Sequence, residues 1–138
     1  MSQYGMTFAQ KLIQHGEFAA AVEEASRHAA REPDSPEPFH DRARALSALG
    51  RYEEAVADYA RAIELDRVEQ ILHDGEVDDG LFSTIIAWCQ SLSSQEEKLA
   101  VLSRYEQLLP GGAHRQDAAE WALRFRGQLP TTWSKPRD

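Results

Sequence analysis

GEFAAAVEEASRHAARE (residues 16–32) and GRYEEAVADYARAIELD (residues 50–66) are one pattern written twice, 34 residues apart. Gly16 falls on Gly50, Phe18 on Tyr52, and Ala21 and Val22 on Ala55 and Val56. The register continues upstream, with Ala9 over Ala43 and Leu12 over Leu46. A fixed period of this length means that each unit is one supersecondary element, which hides its apolar face by stacking on the next. Each period holds two stretches with helical spacing and a glycine between them, and this predicts helix hairpins.

The unit ends follow from local chemistry. Glu32-Pro33-Asp34-Ser35-Pro36 closes the first hairpin, because proline cannot continue a helix interior. That hairpin is expected to pair a helix over about residues 3–15 with one over 18–31. Ser35-Pro36-Glu37-Pro38 opens the second, with a capping serine, proline in the first turn and an early acid. Its helices are expected to run to about Leu49 and then onward from Tyr52. Arg67 stands where Pro33 stands in the first unit, and Leu65, Val68, Ile71 and Leu72 keep helical spacing beyond it. The second helix is therefore expected to continue to about His73. An acidic linker, Asp74-Gly-Glu-Val-Asp-Asp-Gly80, would then break it.

Two further helices are expected over about 79–93 and 95–109, with Ser93-Ser94 as turn and cap. Leu81, Phe82, Ile85, Ile86 and Cys89 form one apolar face, and Leu99, Leu102, Tyr105, Leu108 and Leu109 another. Gly111-Gly112 closes this pair, and a last helix over about 114–127 shows Ala118, Trp121, Ala122 and Phe125 on one side. One wet face and one apolar face suit a helix that caps a stack. Residues 129–138 (LPTTWSKPRD) read as an extended tail.

A 34-residue period of two helices with this glycine and these alanines resembles the tetratricopeptide repeat family. The resemblance covers about residues 2–35 and 36–69, with a degenerate third hairpin over about 79–110. That hairpin lacks the turn glycine, replaced by Ser93, and the small residue early in its second helix, where Lys98 stands. The resemblance implies one all-α domain over residues 1–128, its antiparallel hairpins stacked in a short right-handed superhelix with a C-terminal capping helix. It also implies an inner groove, lined by the first helix of each pair, that holds a peptide. The groove-facing positions are Gln3, Met6, Gln10, Ile13 and Gln14, then Glu37, His40, Arg44 and Ser47, then Ser83, Ala87 and Gln90. The family's carboxylate clamp of Lys and Asn does not carry over, because Met6, Gln10 and Asp41 occupy its places.

Bulk properties narrow the function. The formal charge of −8 disfavours nucleic acid, whose phosphates need clustered Lys and Arg. The charge is uneven: about −5 over residues 1–72, −4 over 73–80 and +1 over 81–138. No run reaches the roughly 20 apolar residues of a membrane span, so no membrane insertion is expected. Cys89 is the single cysteine, which fits a reduced, cytoplasmic setting. Arg outnumbers Lys twelve to three, as in GC-rich bacterial genomes.

Catalytic, metal and cofactor chemistry find no footing. Asp74-x-Glu76-x-Asp78 echoes a calcium loop, but Asp79 stands where that loop needs glycine and Ile85 where it needs glutamate. The five histidines form no HExxH, and Gly111-Gly112 lacks the lysine of a phosphate loop. The expected role is a non-catalytic adaptor or chaperone-like module that binds a protein or peptide partner in its groove, without cofactor or metal. The alternative is an assembly subunit, a homodimer for example, that associates through Ile71 and Leu72 on the prolonged helix or through Trp133 in the tail.

Overall fold

The computed structural model describes residues 6–72 and 74–128. Seven α-helices occupy them and no strand is present among them: α1 (Phe8–Gln14), α2 (Phe18–Arg31), α3 (Pro36–Ala48), α4 (Tyr52–Glu69), α5 (Asp74–Ser91), α6 (Gln95–Leu108) and α7 (Arg115–Phe125). Consecutive helices pack as antiparallel pairs, and each new first helix leans on both members of the pair before it. The fold is the all-α, repeat-like stack that the period implies.

The repeated glycine has one job in both units. Gly16 and Gly50 each adopt φ +78°, a left-handed conformation open to glycine at little cost. In the first turn Glu17 N–H bonds Leu12 C=O and Gly16 N–H bonds Ile13 C=O. In the second, Arg51 N–H bonds Leu46 C=O and Gly50 N–H bonds Ser47 C=O. These paired bonds satisfy carbonyls that a helix end leaves open. Helix α1 starts later than expected, at Phe8: the Thr7 hydroxyl accepts the Gln10 N–H and the Gln10 side chain accepts the Thr7 N–H, closing a capping box.

The small residues sit where helices touch. Ala21, Ala25, Ala43, Ala55 and Ala62 are fully buried, and Tyr59 fills the space between hairpins. Arg42 of α3 ties three helices together. It donates two bonds to Asp58 of α4 (2.8 and 3.0 Å) and one to Ser26 of α2 (3.1 Å), with Phe39 beneath its guanidinium.

Two expectations about the junction after the second repeat are overturned. Helix α4 ends at Glu69, not His73. Gln70 turns left-handed (φ 52°), and the Asp66 carboxylate accepts the N–H groups of Ile71 and Leu72 (2.8 and 3.0 Å). A side chain that competes for backbone donors stops the helix where no proline is present. The acidic stretch from Asp74 is no linker but the first two turns of α5. Val77, Leu81, Ile85 and Cys89 lie four apart and are all buried, so packing overrides the local glycines. Gly80 is itself part of the contact, because a Cβ there would collide with the Tyr59 hydroxyl.

The third hairpin departs from the first two as its sequence does. Lys98, in place of a small residue, reaches across to donate to the Cys89 carbonyl (3.1 Å), with the Phe125 ring 5.3 Å away. Asp78 fastens the far end: it accepts the Tyr105 hydroxyl (2.5 Å) and the Ala113 N–H (2.8 Å), and the Tyr105 oxygen accepts the His114 N–H (2.8 Å). Helix α7 has no fully buried residue and lays Ala118, Trp121, Ala122 and Phe125 on the stack.

Candidate partner-binding face

Helices α1, α3 and α5, the first of each pair, carry the positions marked out for a groove. Their polar groups are largely engaged with one another. Asp41 of α3 is fully buried and accepts bonds from the Thr7 hydroxyl and the Gln10 amide of α1, both at 2.9 Å. Burial pushes its carboxyl above the ordinary aspartate value, and the two donors hold it partly back. Gln10 also donates to Glu37 (3.3 Å). One step along, Thr84 of α5 donates to Ser47 of α3 (2.8 Å).

The individual residues divide by accessibility. Met6 is exposed beside the start of α1, and Ser83 and Gln90 are exposed two turns apart on α5. Ile13, Glu37 and Arg44 are half-buried. His40 does not offer a surface contact: it is only 3% exposed, and its ring lies 5.8 Å from that of Tyr59. Burial first, then the positive charge of Arg44, lowers its pKa to about 4, and Nε2 has no hydrogen-bond partner. The position reads as groove-facing, but Tyr59 of α4 packs against it. Arg44 forms no ion pair among the described residues. It is a half-buried cation with its donors uncommitted, beside a row of residues already bonded to each other.

The other marked residues stand apart. Leu72 packs half-buried on the core and Ile71 is exposed. Trp133, Gln3 and His73 lie outside the described residues. Sequence reasoning missed a cluster at the α5–α7 corner. His114 stacks on Phe82 with centroids 4.6 Å apart and contacts Asp79 (2.7 Å) and Asp117 (3.2 Å). Partial burial alone would lower its pKa, but the bonds to Asp79 and Asp117 raise it overall. No local signal joins residues 35 apart when one of them is taken for a linker. Cys89 is buried and its thiol is pushed up to about 11 by desolvation, so it is a poor nucleophile.

A stack of paired helices presenting side chains from successive first helices is the architecture of a protein-interaction module. Residues 36–67 match the tetratricopeptide repeat family model. That match, with seven helices and no strand among the described residues, fits a protein of the tetratricopeptide repeat family. No curated protein and no solved structure matches the chain. No helix among the described residues is long and apolar enough to cross a membrane.

Proposed function

We propose that this protein is a non-catalytic, cytoplasmic adaptor or chaperone-like module that holds a peptide segment of a partner protein against α1, α3 and α5. The observation that carries the reading is Arg44, a half-buried cation unpaired among the described residues, one turn along α3 from Asp41, whose carboxylate is already bonded to Thr7 and Gln10. Its guanidinium can take a backbone carbonyl or a carboxylate of a bound segment. Met6 and Ile13 offer apolar contact on one side, and Ser83 and Gln90 offer adaptable polar contact on the other. The engaged residues contribute by holding neighbouring hairpins at fixed spacing, which keeps the face preorganised.

Selection of a phage-displayed random peptide library against the full chain tests this. Selected peptides should bind the wild type and lose at least about tenfold in affinity for Met6→Ala combined with Arg44→Glu. Equal binding to both proteins would move the site away from this face.

A further inference from the structure

A pocket of about 730 Å³ opens where the end of α4 meets the end of α6 and the start of α5. Its size falls in the range of sites that enclose a ligand or an anchoring side chain, about 300–1,000 Å³. Ile63, Leu72, Leu108 and Leu109 give it apolar walls. Asp66, Asp78 and Arg67 form its polar edge; each carboxylate accepts two hydrogen bonds, and none of the three has a salt bridge among the described residues. None of these is a position of the α1, α3 and α5 face.

Three further features give the pocket a sign and a character. Both α4 and α6 end at it, at Gln70 and Leu109, and the C-terminal end of a helix carries partial negative charge. Between Asp66 and Asp79 the chain has six acids, and Arg67 is the one Lys or Arg. Next to the lining residues Arg67, Gln70 and Leu72 in the chain, Val68 and Ile71 are 81% and 55% exposed.

We propose that this pocket docks a basic, amphipathic segment of a partner protein. An aliphatic side chain of the segment enters against Leu72 and Leu108. A neighbouring lysine or arginine settles on Asp66 and the open carbonyl end of α4, and the segment's apolar flank covers Val68 and Ile71. A second copy of this chain is a poor occupant. A two-fold contact at this surface sets two carboxylates and one guanidinium against the same set, on molecules of net charge −8.

The test is fluorescence anisotropy of a short labelled peptide alternating leucine and lysine, titrated with the full chain. A counterpart with glutamate for lysine is the control. The lysine peptide should bind, bind less tightly as salt rises, and outcompete the glutamate peptide. Gly111 lines the pocket, and a Cβ there meets nothing within 4 Å, so the backbone there has room for a side chain and Gly111→Arg brings a cation of its own. It should weaken binding at least about tenfold, and Ile71→Ser, at an exposed position, about threefold. No binding of the lysine peptide, equal binding of both peptides, or indifference to both substitutions overturns the proposal. Should Gly111→Arg fail to fold, Ile71→Ser and peptide-induced NMR shifts decide. Shifts gathered at Leu72 and Leu108 support the pocket, and shifts along α1 and α3 overturn it. A dimer that Ile71→Ser dissociates in light scattering assigns the surface to a second copy and overturns the partner assignment.

Discussion

Removing the Asp78 carboxylate should loosen α7 and the turn that leads into it. Asp78 is 9% exposed and accepts two bonds, from the Tyr105 hydroxyl and the Ala113 N–H. Through Tyr105 it also orients the oxygen that receives the His114 N–H. Asp78→Ala leaves both direct donors without their acceptor, at about 1–3 kcal/mol for each unsatisfied buried group. Water can reach Ala113, so a loss of about 2–4 kcal/mol is expected. With a urea slope of about 1.5 kcal/mol per molar, the unfolding midpoint then falls by about 1–3 M. Tyr105→Phe should cost less, about 1–2 kcal/mol, because the ring packing stays. A double-mutant cycle in urea isolates their coupling, expected at about 1 kcal/mol or more. Amide exchange should show the loss concentrated in α7 and the turn before it. Additive single effects, or a loss spread evenly over α1 to α4, would refute the idea that this carboxylate fastens the last helix.

The two perturbed histidines should give stability opposite pH dependences. His40 has a folded pKa near 4, below its unfolded value near 6.5, so the unfolded chain takes up its proton first. Its contribution is complete above pH 6.5 and is lost as pH falls toward 4, by up to roughly 3 kcal/mol. In urea melts at stepped pH, His40→Leu should flatten this acid limb, and an unchanged limb would place the titration elsewhere. His114 has a raised folded pKa, so its contribution is complete below pH 6.5 and is lost as pH rises through the folded value. His114→Gln should remove that alkaline loss in the same melts. Two glycines of α5 should respond in opposite directions to alanine. Gly75→Ala meets open space and should stabilise by about 0.5–1 kcal/mol through helix propensity. Gly80→Ala meets the Tyr59 hydroxyl and should lower the melting temperature, and Tyr59→Phe should relieve only part of that loss, because ring carbons stay 3.1 and 3.2 Å from the new methyl.

The repeat period made the first four helices legible to within a few residues, because their ends rest on local signals. Glycine at a left-handed turn, serine before a first turn and proline after the last are each read from neighbours in the chain, whereas the Thr7 cap that starts α1 at Phe8 escapes that reading. Prediction failed from Arg67 to Gly80, where local and tertiary signals conflict. Leu65, Val68, Ile71 and Leu72 have helical spacing, yet Asp66 captures the next N–H groups and ends α4. Gly75 and Gly80 punctuate an acidic run, yet the run is helical because Val77 and Leu81 have an α4 surface to bury against. The candidate face was legible in part. Its positions follow from the repeat, but no sequence pattern revealed that Gln10 is spent on Asp41, that His40 is covered, or that Arg44 has no partner among the described residues.

By itself, then, the sequence determined the class of fold, the glycine turns within the first two hairpins and the acidic character of the segment between the second and third. Those properties depend on near neighbours and on a period, both of which are written along the chain. Only the tertiary structure decided where α4 stops, why Gly80 must be glycine, how Asp78 and Tyr105 fasten the end of the stack, and which polar groups remain open to a partner. The end of α4 turns on Asp66 reaching N–H groups five and six residues on, and the others depend on atoms brought together from residues 21 to 37 apart, where a hydroxyl, a carboxylate or a missing methyl group sets the outcome.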